Sequence, residues 1–352
     1  MLNNSKFSYT VNALKAIGIL AIVASHLGTS FGGKFFPVSS WHVPLFFVVS
    51  GYLFNFNKTN FLQKIKKYIK IFYSYYFFYA FITFLIYLFL HKIYGSLPSL
   101  KTLTWASLSY IPFSIFAPAW FLQALILCSL FFFLVIKFSE YCKISKLAPL
   151  MFLIFGILAV NLTNSDFSPM VGANNGVKKV IIRTLMGSFY MYAGYFYKCK
   201  LKNFIKFSNK EIVCVLFIQT LLYIFVDNLN MNIYLGQLPH NITPFIAPFT
   251  AIYTLTYLIK KIPQKFLKNR IVYNTGTMSL NIMMNHIFAI FITEIIVLKL
   301  THQPLTMLPN DIFQFYNIES FKVWYLCSAI IICLIFGKLS QKFLRKKDDK
   351  CL

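Results

Sequence analysis

Acidic side chains are nearly absent. The chain has 352 residues with 9 Asp and Glu against 34 Lys and Arg, a formal net charge of +25, yet only 12% of its residues are charged. A soluble globular domain has about a quarter charged residues, so that class is excluded at the outset. Excess positive charge also marks nucleic-acid binding. A binding surface would spread it along one face, whereas here the Lys and Arg stand in short clusters between apolar runs, so no nucleic-acid partner is expected. Cysteine pairs are lacking as well. No CxxC pair exists; Cys128, Cys214, Cys327 and Cys333 lie in apolar runs, and Cys142, Cys199 and Cys351 in segments expected in the cytosol. That excludes a disulfide framework and a thiolate metal site. His91, His240 and His302 lack ligand spacing, so no metal is expected.

What is present in quantity is apolar: 58% hydrophobic residues and 19% aromatic, with a mean hydropathy of +0.65. A hydrocarbon core of about 30 Å needs roughly 20 apolar residues per helix. Ten runs meet or approach that length: 11–28, 42–57, 70–91, 119–138, 147–162, 180–198, 211–227, 243–260, 277–298 and 322–340. The expected fold is an all-α polytopic membrane protein of about ten transmembrane helices, one integral domain over 1–352 with a basic tail at about 341–352. The first run is read as a retained helix rather than a signal peptide, because nine further spans follow it. The stretch 103–117 is apolar but short and holds Pro112, so it reads as a re-entrant or interfacial piece.

Basic loops set the orientation. The link 58–70 holds Lys58, Lys64, Lys66, Lys67 and Lys70; 198–210 holds Lys198, Lys200, Lys202, Lys206 and Lys210; 260–270 holds Lys260, Lys261, Lys265, Lys268 and Arg270. Arg345, Lys346 and Lys347 lie in the tail, while 229–242 has no Lys or Arg. The rich loops fall at every second gap, which predicts an even span count with both termini cytosolic.

Within the first run, Lys15 and His26 stand eleven residues apart. Eleven residues are about three helical turns and about 16 Å of rise, so both side chains share one stripe, Lys15 toward the inner surface and His26 toward the outer. Ionisable groups in spans are costly and usually face a protein interior or a water-filled cavity. The plain alternative is that Lys15 snorkels to the headgroups and His26 merely ends the helix.

The second run reads WHVPLFFVVSGYLF over 41–54, and at this point the sequence resembles the membrane-bound acyltransferase family 3. In that family a first helix carries Arg, ten residues, then His, and a second helix carries a plFFxxSGy signature. Here K-AIGILAIVAS-H keeps the spacing with Lys15 in place of Arg. AWFLQALI at 119–126 resembles a W-F-L motif in the middle of the family fold, and GTMSLNIMMNHIF at 276–288 resembles its late S-L-x-I-x-x-x-H helix. The family's RxxR before helix three stands here as Lys67-Tyr68-Ile69-Lys70. Lys offers a point charge where Arg offers a planar fork, so the donor contacts would differ from those of the family pattern.

The resemblance implies a ten-helix core and an enzyme that transfers an acyl group, most often acetyl, from cytosolic acetyl-CoA to a hydroxyl of an envelope or surface carbohydrate, in a bacterial plasma (inner) membrane. His26 would be the general base. Lys15 would hold a CoA phosphate or the pantetheine arm, or polarise the thioester. Lys67 and Lys70 would bind the CoA phosphates. His42, Trp120, His286 and Glu294 are candidates for lining the tunnel or meeting the acceptor. Each also has a plain reading: His42 as an interfacial residue beside Trp41, Trp120 as structural, His286 as a buried imidazole bonded through Asn281 or Asn285. Ser50-Gly51 reads as a close helix contact, and Arg183 as snorkelling from the outer end of its helix, with contact to an anionic acceptor as its alternative. Tyr110 and Tyr234 are outer aromatics able to stack on a sugar. The rival functions are a transporter or flippase for lipid-linked sugars, expected to show two repeated halves, which are not seen, and a structural or sensory membrane protein, which would not need Lys15 and His26 on one face.

Overall fold

In hydrocarbon, backbone N–H and C=O groups find no water, and an apolar run satisfies them by coiling into a helix. A computed structural model describes residues 2–29, 32–54, 56, 61–95, 97, 99, 114–165, 176–315 and 318–348. These residues form helices and no β-strand. Ten long helices are α1 (Leu2–His26), α2 (Val38–Tyr52), α3 (Phe61–Leu90), α4 (Trp120–Tyr141), α5 (Ala148–Thr163), α6 (Gly176–Phe196), α7 (Asn209–Phe225), α8 (Thr243–Lys261), α9 (Ser279–Leu300) and α10 (Ile318–Asp348). Each overlies one of the ten apolar runs. The short helices Gln264–Leu267 and Arg270–Thr277 link α8 to α9, and a 3-10 turn, Ser114–Ala119, leads into α4. Most of the expected re-entrant piece, residues 103–113, lies outside the described residues, as does Tyr110.

Among the described residues six segments are long and apolar enough to cross a membrane: Tyr9–His26, Phe61–Leu90, Ser114–Tyr141, Ser145–Thr163, Ser279–Leu300 and Glu319–Leu339. The helices α2 and α7 are shorter, at 15 and 17 residues, and α6 and α8 are diluted by polar residues. The helices α9 and α1 sit inside the bundle, with 72% and 67% of their apolar windows buried, against 33% for α3 and 22% for α10. On α3 the exposed face carries Phe77, Phe81, Phe84 and Phe89. An apolar outer face of this kind is stable against lipid rather than water.

Backbone contact fixes the centre. A Cβ built on Gly51 of α2 would fall 1.8 Å from the carbonyl oxygen of Met191 on α6, and one on Gly194 of α6 would fall 1.9 Å from the carbonyl oxygen of Val48 on α2. The two helices therefore cross through reciprocal glycines, the close approach that small residues permit in membranes. Across α3 and α9, the Tyr79 hydroxyl donates to Asn285 Oδ1 (2.7 Å), and the side-chain amides of Asn281 and Asn285 donate to the Tyr75 hydroxyl (2.8 and 3.1 Å). This seam satisfies most of the polar groups buried there; Asn281 Oδ1 has no partner among the described residues. The helix α7 opens on a reciprocal cap. Ser208 Oγ accepts from Glu211 N–H (3.3 Å) and Glu211 Oε2 accepts from Ser208 N–H (2.8 Å). The Tyr253 hydroxyl of α8 donates to the same carboxylate (2.8 Å).

Candidate active site

The sequence Ser25-His26-Leu27-Gly28-Thr29 ends α1 abruptly. Gly28 adopts a left-handed φ of +70°. Thr29 N–H donates to Ala24 O (3.0 Å) and Gly28 N–H to Ser25 O (3.2 Å), the paired bonds of a glycine C-cap. That stop places His26 in the last turn, where its side chain enters a cavity of about 810 Å3.

Three imidazoles line this cavity: His26 from α1, His42 from α2 and His286 from α9. The rings of His26 and His286 lie 5.0 Å apart, centroid to centroid, and His26 stacks on Phe313 at 5.8 Å. The Nδ1 of His286 lies 2.8 Å from the carbonyl oxygen of Met283. A carbonyl can only accept, so Nδ1 carries the proton and Nε2 keeps its lone pair. Among the described residues that Nε2 is buried with no hydrogen-bond partner. His42 is tied the same way, its Nδ1 donating to the carbonyl oxygen of Val38. Both rings are thus held in one tautomer by their own helices. The expectation that His286 bonds through Asn281 or Asn285 is replaced by this, because those amides are engaged by Tyr75 and Tyr79. Among the described residues no group of three His, Cys, Asp or Glu is arranged to hold a metal ion.

Trp120 lines the cavity from the first turn of α4, and Tyr234 from the connection between α7 and α8. Arg183 lies beside both rings, its guanidinium carbon 5.1 Å from each centroid, while the two rings touch each other at 5.4 Å. Its Nε donates to the Tyr234 carbonyl oxygen at 3.0 Å. Arg183 is only 5% exposed, which corrects the expectation of a snorkelling side chain. Its charge is satisfied there by the Tyr234 carbonyl oxygen and by the two neighbouring aromatic rings instead of by a headgroup.

The remaining candidates lie elsewhere. Glu294 is buried eight residues beyond His286 and does not line the cavity. Lys15 is half-buried in the middle of α1 and does not line the cavity either. Lys67 and Lys70 are exposed on the first turns of α3. Beside them Lys64 rests over the rings of Phe54 (5.6 Å) and Tyr68 (5.7 Å).

Sequence reasoning missed most of the cavity's polar wall. Ser39, Thr163, Asn164, Asn228, Asn230, Asn232 and Gln237 come to it from the start of α2, the end of α5 and the α7–α8 connection. The signal available was the stretch DNLNMN at 227–232, dense in Asn and free of Lys and Arg. Its fold is held by side chains. Ser39 Oγ donates to Asn230 Oδ1 (2.7 Å), Thr163 Oγ1 donates to Gly236 O (3.2 Å), and Asn232 and Gln237 exchange backbone bonds (2.8 and 2.9 Å).

Searches of curated proteins and of solved structures returned no match. The family model of an acyltransferase domain matches residues 8–339, nearly the whole chain, so this polytopic helical protein, with its histidine-lined cavity, belongs to acyltransferase family 3.

Proposed function

We propose that the chain is a membrane-bound O-acyltransferase that moves an acyl group, most often acetyl, from cytosolic acetyl-CoA to a hydroxyl of an envelope carbohydrate, with His26 as general base. The observation that carries this reading is the meeting of His26 and His286, rings 5.0 Å apart, in a cavity of about 810 Å3. Pockets of this size hold small-molecule substrates. A hydroxyl is a weak nucleophile until a base takes its proton. His26 takes that proton as the oxygen attacks the thioester carbon. The carbon–sulfur bond then breaks, and the proton passes from His26 to the departing thiolate. His286, with Nε2 unpartnered, holds the hydroxyl or steadies the charge on His26.

The chain crosses a bacterial inner membrane ten times, with both termini cytosolic. Two observations support this: the ten long helices and the basic clusters at every second connection. In that orientation Lys67 and Lys70 face the cytosol and hold the CoA phosphates as point charges. Lys15, about 16 Å below His26 along α1, contacts a phosphate or the pantetheine arm. The seam of Tyr75, Tyr79, Asn281 and Asn285 supports a polar route alongside, since Asn281 Oδ1 is an unused acceptor among the described residues and a pantetheine amide is a donor.

Mass spectrometry of surface glycans from cells with and without the chain tests the function. The expected result is one added acyl mass on a defined sugar; identical glycans in both would reject it. For the donor contacts, Lys67→Ala with Lys70→Ala is expected to weaken acetyl-CoA binding by about tenfold or more, each exposed phosphate contact contributing about 1 kcal/mol. Equilibrium binding to the purified full chain reads this, and unchanged affinity would remove the assignment.

A further inference from the structure

The wall of the cavity is chemically one-sided. Its polar side chains, besides the three imidazoles, are amides and hydroxyls; among the described lining residues there is no Asp, Glu, Lys or Arg. The amides come chiefly from the α7–α8 connection, in Asn228, Asn230, Asn232 and Gln237, with Asn164 facing them from the end of α5. Two nearby cations are committed to backbone carbonyls, and Lys179, which packs beside Gly236, is not among the lining residues. Arg183 is spent on the Tyr234 carbonyl oxygen, beside the rings of Trp120 and Tyr234. Lys178 donates to the backbone carbonyl oxygens of Thr163 and Ser165. The rings of Trp120, Tyr234 and Phe313 also line the cavity.

We infer that this wall is an acceptor subsite for an uncharged glycosyl unit, and that the α7–α8 connection, residues 226–242, sets the preference. The inference rests on the cavity being the acyl-transfer site. Amides offer both donors and acceptors, which matches ring hydroxyls and acetamido groups, and aromatic faces cover the apolar C–H side of a pyranose. A uronate or sialate would instead lose hydration with no cation to replace it, the costly case for a charge. The wall is also pre-shaped. Ser39 holds Asn230, Thr163 holds Gly236, and Arg183 holds Tyr234. The side-chain amides of Asn164 and Gln237 have no protein hydrogen bond among the described residues and are exposed to the cavity. They are therefore the groups free to bind a sugar.

The test separates sugar binding from catalysis. The full-length chain bearing His26→Ala is placed in lipid nanodiscs without donor, so that binding is read whether or not His26 is the base. Saturation-transfer NMR is recorded with a β-linked N-acetylglucosamine tetramer and with tetragalacturonate. The tetramer is expected to bind at least about tenfold more tightly than tetragalacturonate. Adding Asn164→Ala with Gln237→Ala is expected to weaken the tetramer by about tenfold, two lost hydrogen bonds of about 1 kcal/mol each outweighing what water restores. Gln237→Lys, which places a cation on the wall, is expected to strengthen tetragalacturonate. Equal or tighter binding of tetragalacturonate by the parent overturns the inference. So does absence of tetramer binding, or tetramer binding that the double substitution leaves unchanged while thermal unfolding matches the parent.

Discussion

Replacing His26 with Ala is expected to lower acyl transfer by about 10²–10⁴-fold, the usual contribution of a positioned general base, with the amount of folded chain in the membrane unchanged. The stability half of that expectation follows from the surroundings. His26 is half-buried at a helix end and its contacts are ring faces of His286 and Phe313, facing a cavity. Truncating it enlarges a space already open, and the α1 stop is set by Gly28 and its backbone bonds, which the substitution leaves alone. Transfer from acetyl-CoA, measured in membranes containing equal amounts of parent and variant, reads the effect. An undiminished rate would contradict the assignment, and a rate lost together with the protein would show a structural role.

The second large effect concerns α2 and α6. Gly194→Ala is expected to destabilise the chain by about 3 kcal/mol or more, at or beyond the top of the usual range for overpacking, and Gly194→Leu to leave little folded protein. The added Cβ of Ala would meet the Val48 carbonyl oxygen at 1.9 Å and the Tyr52 amide nitrogen at 3.0 Å, both rigid backbone. The helices must then separate along the same seam that positions His42 and the α2 end of the cavity. Gly156→Ala supplies the contrast. Its Cβ would meet the Phe245 ring edge at 2.9 Å, a side chain able to turn aside, so the cost should be small. Thermal unfolding of the three purified variants orders them. Equal midpoints for Gly194→Ala and Gly156→Ala would refute the backbone-contact account.

The long helices were legible because hydropathy is a local property: runs of about twenty apolar residues have one way to satisfy their backbone in lipid. The start of α2 was less so. Residues Val38-Ser39-Ser40 lie before the apolar run that begins at 42, yet Pro37 opens the helix there and Ser40 N–H and Oγ both donate to its carbonyl oxygen (2.9 and 2.8 Å). The pairing of His26 with His286 was not legible, since 260 positions separate them and only the packing of α1 beside α9 joins them. Arg183 misled for a related reason. Position near a helix end suggests snorkelling, but Trp120 and Tyr234 reach it from two other parts of the chain. The amide wall was hardest to foresee, because connections carry no periodicity and Ser39, Asn164 and Asn230 meet only through tertiary contacts.

The account claims that a histidine in an outward cavity activates a hydroxyl for a donor that enters from the cytosol. Sided transfer tests this directly. Right-side-out membrane vesicles containing the chain are loaded with labelled acetyl-CoA and given an impermeant glycan acceptor outside. The account predicts labelled acceptor in the outer medium with the parent chain and almost none with His26→Ala. Label reaching the acceptor only when acetyl-CoA is supplied outside, or equally with and without His26, would contradict it.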